Sequence, residues 1–394
     1  MNESEKDEDQ SNLRKKILSH KGLAFISSAD IIGNAISAAF WLIVASLLLV
    51  EEYGEISYFI AIASLGLCCM VGSTDSLLVF STKNQKIIST LLALTLIFTV
   101  IASLIAFVIV QRFELIFLIF SFVIFQTSVT LLLGKKLYAK YSKFLLTQKI
   151  LQFAIGISLY FSLGANGILI GIASANFALI PIFYQELKNS KIDFSLLKPK
   201  KEFIINNSII YIVAVFRRDI DKIIIVPILG FTVLGNFALV LQLYTIMMIF
   251  SSISYNYLVP KDVAKEKNIK FKMFLITLSV IIALSGFFFS PYIIENFFLK
   301  FSEAIIPLQI VSFGIIPNTV AMVLYSKILA LEKTKLLLIA NAIQLSVVLI
   351  GTIFLGMLYD IIGVAIAFVL GWTMFAITLL ITNYNYVGEK KLDI

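Results

Sequence analysis

Histidine is all but missing from this chain. His20 is the only one among 394 residues, and it lies in a polar N-terminal stretch. That excludes Ser-His-Asp catalysis and histidine-based metal sites. Cysteine is nearly as scarce. Cys68 and Cys69 are adjacent inside an apolar run, so they build neither a disulfide framework nor a zinc site. Charged residues make up only 14% of the chain, against ~25% in ordinary soluble proteins. No GxxxxGK[ST] loop is present, so nucleotide hydrolysis is not expected, and no cofactor or metal is implied. Period-two alternation is absent, which argues against a transmembrane barrel.

Apolar residues are what the chain has instead. They form 59% of it, and the mean hydropathy is +0.97. A soluble domain of this size could not hide so much apolar surface, and disorder needs the opposite composition. The chain therefore reads as an all-α polytopic membrane protein. Twelve runs are long enough to cross a ~30 Å hydrocarbon core, near 22–50, 57–81, 87–110, 113–133, 144–163, 166–185, 202–228, 232–257, 271–291, 303–329, 335–357 and 361–383.

In a soluble protein the net charge of +8 would suggest nucleic acid; here it reports topology, and no nucleic-acid partner is expected. Of 32 basic residues, 27 fall on one side of the twelve-span reading, only Arg112 and Lys300 on the other, and Arg217, Arg218 and Lys222 inside span seven. The positive-inside rule then places both termini in the cytoplasm of a multi-pass protein of the cell (inner or plasma) membrane. Residues 1–21 are highly charged with no cleavage-site pattern, which predicts a cytoplasmic tail and not a signal peptide. External loops such as EEYGE and QRFE are too short for an outer domain.

The polar stretch 186–201 divides the spans six and six. The expected organisation is a tail at 1–21, a six-helix bundle at 22–185, a cytoplasmic linker at 186–201, a second six-helix bundle at 202–383 and a tail at 384–394, with the bundles around a central cavity. The halves echo each other in order. Gly54 aligns with Gly235, Gln152 with Gln344 and Gly167 with Gly363, at offsets of 181, 192 and 196. Parallel repeats of six helices fit alternating access, although such units can also pack without transporting. Gly167 and Gly171 predict close helix packing.

Ionisable groups deep in a membrane are costly and mark pathways or partners. Arg217, Arg218, Asp219, Asp221 and Lys222 cluster in span seven, with Arg218 roughly 22 Å along the helix from Phe203. Asn207, Tyr211, Ala214, Arg218 and Asp221 share one stripe by i+3/i+4 spacing. Arginine suits phosphate through bidentate, charge-assisted bonds, which makes Arg217 and Arg218 candidate substrate ligands. A structural pair between Arg217 and Asp221 is the competing reading. Span one carries Ser27, Asp30, Asn34, Ser37 and Trp41 on a second stripe. Asp30 there could carry a coupling proton, pair with a cation, or only pack. Asp75 is expected to pair with nearby Lys83.

Several segments resemble a known group. EEYGEIS after span one, RRDIDKIIIVPILGFTVLGNFALVLQLY at 217–244, YNYLVPKDVAKEK at 255–267 and SPYIIENFFLKFSEAIIPLQIVSF at 290–313 are similar to the signature segments of polysaccharide flippases in the multidrug/oligosaccharidyl-lipid/polysaccharide exporter superfamily. The resemblance covers nearly the whole chain. It implies a non-enzymatic transporter that flips polyprenyl-pyrophosphate-linked oligosaccharide from inner to outer leaflet for O-antigen or capsule-like polysaccharide. Its partners would be that lipid-linked substrate, membrane lipids and other membrane proteins of polysaccharide assembly. The alternatives are a small-molecule cation antiporter of the same superfamily and a membrane polysaccharide polymerase. The arginines of span seven speak against the first, and the short external loops against the second.

Overall fold

A computed structural model describes residues 26–263, 268–330 and 334–389. The N-terminal tail and the last residues of the C-terminal tail lie outside them. Among the described residues the structure is helical, without strands. Eight of the described helices are long and apolar enough to cross a membrane, and ten spans result when two bent pairs each count as one. Two stretches, Phe194–Met247 and Leu336–Tyr384, hold 54 and 49 residues, about twice what one crossing needs. Each contains a break: at Gly230 (φ 88°, ψ 176°) and at Asp360 (φ 55°, ψ −137°). Counting each as two spans gives twelve. The chain is a multi-pass membrane protein.

Two spans that read as continuous in the sequence are broken. The second runs Val50–Leu65, passes through a short 3-10 turn at Gly66–Cys69, and resumes as Ser73–Thr82 at 48°. Gly72 (φ 83°) and Ser73 (φ 67°) are both left-handed at the break, a conformation that costs little only for the glycine, which has no Cβ. The sixth runs Ala165–Phe177 and then Ile180–Lys188 at 43°. A hydropathy window of span length averages over such breaks.

The described residues form two compact units. One contains the chain up to Phe40 together with Phe59–Asp219; the other contains Trp41–Tyr58 together with Ile220 onward. In the first unit, Leu67, Met70, Leu77, Leu91, Val123 and Val215 anchor one apolar core. The linker after the sixth span is pinned to the start of the third: Ser190 Oγ donates to the Lys86 carbonyl, and Asp193 N–H donates to Thr90 Oγ1. Bonds from the Ser195 hydroxyl and backbone N–H hold the Asp193 carboxyl below the usual carboxylate range.

The second unit contains the corner after the first span. Glu52 accepts from the Leu49 N–H at 2.9 Å, and Lys300 Nζ donates to the carbonyls of Leu47 and Leu48. These bonds satisfy backbone groups that the helix end leaves open. The next helix then meets the helix containing Gly235 backbone to backbone. A Cβ on Gly54 would lie 1.9 Å from the Phe231 carbonyl oxygen, and one on Gly235 would lie 1.9 Å from the Val50 carbonyl oxygen. Val50 and Phe231 are separated by the same 181 residues as the two glycines. The repeat inferred from sequence is therefore a reciprocal contact.

The offset of 196 recurs in the same way within each unit. A Cβ on Gly167 would strike the Leu159 carbonyl, and one on Gly363 the Leu355 carbonyl, at 2.1 and 1.8 Å. Gly164 turns at φ 64°, ψ −148°, and Asp360, its counterpart, at φ 55°, ψ −137°. The close packing expected at Gly171 is against Gly156.

Candidate functional site

The site is built in the first unit, from the start of span seven, the broken second span, and the seam between spans one and five. Span seven presents Ser208, Tyr211, Val215 and Asp219 to the second span, at steps of three and four. Ser208 Oγ accepts the Gly72 N–H at 2.8 Å, and Tyr211 OH lies 3.7 Å from Met70 Sδ. Ser64 Oγ donates to Asp219 Oδ2 at 2.6 Å. The break in span two thus gains polar partners from span seven, as a broken helix in a membrane requires.

Asp219 is buried, and Arg218 is not. The Arg218 side chain is 57% exposed, and its Nε donates to Asp219 Oδ2 at 2.8 Å. With the Nε edge fixed, the terminal amino groups of the guanidinium stay available on the exposed side. A planar donor fork held in this way suits bidentate binding of a phosphate or carboxylate. Arg217 is exposed beside it.

The predicted stripe does not form a single surface. Tyr211 turns to Met70, Asn207 spends its amide on the Phe203 carbonyl of its own helix, and Asp221 is half-buried at the start of the second unit. Ala214 and Arg218 are exposed.

The second candidate group lies where spans one and five run alongside each other. Tyr141 OH donates to Asp30 Oδ1 at 2.6 Å. Higher up, the Lys149 stem passes Gly33, its Cγ 3.6 Å from the place a Cβ would occupy, and Phe153 and Gly156 meet Phe40. Asn34 is exposed next to Gly33. Lys149 is half-buried and makes no hydrogen bond or ion pair among the described residues. The charge count groups it with the cytoplasmic lysines, although it falls inside the expected span 144–163. The structure sets it in the helix Tyr138–Leu163, roughly 16 Å from that helix's start at 1.5 Å per residue.

The expected Asp75–Lys83 pair is not formed. The two residues are two helical turns apart, about 12 Å, and Lys83 has no ion-pair partner among the described residues.

No protein-family model matches the chain, and no curated protein matches it. Solved structures do. A lipid II flippase MurJ in an inward closed conformation superposes with a TM-score of 0.74 at 14% identity, covering 91% of this chain and 87% of that one. The chain shares the fold of that structure. An inward-facing MATE multidrug resistance transporter of the MOP superfamily matches with a TM-score of 0.65 at 11% identity, covering 94% and 99%. A MOP superfamily transporter from Pyrococcus furiosus, described as having a binding pocket of reverse polarity, matches with 0.64 at 12% identity, covering 94% and 96%. These neighbours are transporters and flippases, not enzymes, and their fold agrees with the resemblance that the sequence motifs carry.

Proposed function

We propose that this chain is a flippase that carries polyprenyl-pyrophosphate-linked oligosaccharide from the inner to the outer leaflet, by alternating access of its two six-helix repeats. The product would feed assembly of an O-antigen or capsule-like polysaccharide, together with other membrane proteins of that assembly. The observation that carries this reading is Arg218. Its guanidinium is oriented by a buried carboxylate and left open on one side, within a membrane-spanning helix. A cation in that position serves an anionic ligand, and pyrophosphate is the anion of a lipid-linked glycan. The likeness to a lipid II flippase supports the same class. In this reading both termini are cytoplasmic, Arg217 and Arg218 bind phosphate, and Asn207, Tyr211, Asn34 and Asp221 complete the substrate surface. Asp30, hydrogen-bonded by Tyr141, is the coupling group.

The test is leaflet translocation of a fluorescent polyprenyl-pyrophosphate oligosaccharide in proteoliposomes, wild type beside Arg217→Ala/Arg218→Ala. Wild type should flip the lipid and the double variant should not. Flipping that survives in the double variant removes the phosphate site from span seven. A folded wild type that flips no lipid and instead exchanges organic cations for protons or sodium is an antiporter. An unchanged pH profile of transport in Asp30→Asn would remove Asp30 from coupling.

A further inference from the structure

A cavity of about 500 Å³ lies at the lysine-rich end of the first unit, where span two ends and span seven begins. Lys83 and Lys200 stand on its rim, Glu202 and Asn206 add polar groups, and Val79 and Phe203 form an apolar wall. We propose that this cavity binds the phosphate of an anionic membrane lipid. The inference does not depend on the flippase reading.

Both lysines are exposed, and neither has a hydrogen-bond or ion-pair partner among the described residues. Two cations left unpaired beside a single carboxylate give the cavity a net positive charge. Lysine binds phosphate as a point charge, and clusters of basic residues at a membrane surface attract anionic headgroups. Glu202 can accept from a headgroup hydroxyl, and Asn206 can donate to an ester oxygen.

The walls favour a lipid over a soluble anion. Phe203 is held by an edge contact with buried Phe80, ring centroids 5.7 Å apart. The neighbouring 3-10 turn Phe194–Lys200 is fixed through Leu196 and Leu197 on the apolar core. From Phe203 the exposed apolar side chains continue along the same face of span seven through Ile210 and Ala214, at i+7 and i+11. A phosphate in the cavity therefore has an apolar track for its acyl chain, which inorganic phosphate could not use.

The experiment titrates the purified full-length protein in detergent with dioctanoyl phosphatidylglycerol, dioctanoyl phosphatidylcholine or inorganic phosphate, and reads binding from the rise in melting temperature. Phosphatidylglycerol should stabilise the wild type, while the other two should not at matched concentration. Lys83→Gln/Lys200→Gln should weaken phosphatidylglycerol binding by about tenfold or more. Lys83→Arg/Lys200→Arg should keep it, as should Lys140→Gln/Lys143→Gln, which removes two exposed lysines elsewhere in the unit. Equal effects of the two lipids overturn the proposal, and so does full binding by the Lys83→Gln/Lys200→Gln protein. Stabilisation by inorganic phosphate equal to that by phosphatidylglycerol overturns the assignment to a lipid. The wild-type titrations decide this even if the double variant fails to fold.

Discussion

Replacing Gly54 by alanine should destabilise the protein even though alanine is the better helix former. The added methyl would lie 1.9 Å from the Phe231 carbonyl oxygen, and a Cβ does not approach a non-bonded heavy atom closer than 3.0 Å. The obstacle is backbone, so no rotamer can relieve it, and the helices must part by about 1 Å. Overpacking of this kind costs about 1–3 kcal/mol. The gain in helix propensity returns about 1 kcal/mol at most, and a clash with backbone belongs at the upper end of the overpacking range, so Gly54→Ala should be destabilising by about 2 kcal/mol net. Gly235→Ala should cost the same, because its methyl would meet the Val50 carbonyl oxygen at the same distance. One separation of the helices relieves both clashes. The double variant should therefore cost little more than either single, with a coupling of about 1 kcal/mol or more. Unfolding of the purified protein in detergent can be followed by tryptophan fluorescence, since Trp41 packs on Tyr53 one residue before Gly54, with ring centroids 6.2 Å apart. A neutral Gly54→Ala, or two penalties that simply add, would refute the reciprocal contact.

Asp360→Gly should raise stability by about 1 kcal/mol, because it removes a non-glycine residue from φ 55°, ψ −137°, a conformation its repeat counterpart Gly164 adopts freely; an unchanged or lower melting temperature would contradict this. Asp219→Asn should leave protein levels normal while raising severalfold the lipid concentration for half-maximal flipping, because Arg218 loses the carboxylate that orients it. Ser64→Ala should move the same parameter less, and a half-saturation that stays put in both would separate Asp219 from Arg218 function. Lys149→Gln removes an ammonium that has no partner among the described residues, so the melting temperature should hold or rise while flipping falls by about tenfold. Lost stability with intact transport would make Lys149 a structural residue.

The twelve spans and the repeat are legible in the sequence because a membrane core imposes length and composition on each crossing, and because backbone contacts force glycine at fixed offsets. The breaks in spans two and six are not, since a window of span length averages over the turn signal Gly72-Ser73-Thr74-Asp75 at the first and over Pro181 at the second. Asp219 does not stand out because i+3/i+4 spacing defines several stripes on one helix, and the sequence does not say which one meets a neighbour. The stripe through Asn207, Arg218 and Asp221 holds both a cation and a carboxylate; the one through Ser208, Tyr211, Val215 and Asp219 makes the contacts. Lys149 is hidden by its neighbours Lys136, Lys140 and Lys143. Its place inside the expected span 144–163 is the signal that separates it from them, and the helix Tyr138–Leu163 carries it there.

The repeats share packing and not chemistry. Gly54 has Gly235, Gly167 has Gly363, and the turn at Gly164 has the turn at Asp360. At the same offsets, Arg218 and Asp219 correspond to Ser37 and Ala38, and Lys149 corresponds to Asn341, whose amide donates to its own helix at Leu337. The buried chain Gln148–Asn176–Ser121 also fails to recur, since Ala340 and Trp372 stand where Gln148 and Asn176 would be. Helix packing fixes a duplicated scaffold, and any change in its backbone contacts would have to be accommodated in both copies. The ionisable groups are free of that constraint and occur once each. A single set of cations on a duplicated frame fits the proposed substrate, whose pyrophosphate lies at one end of the molecule.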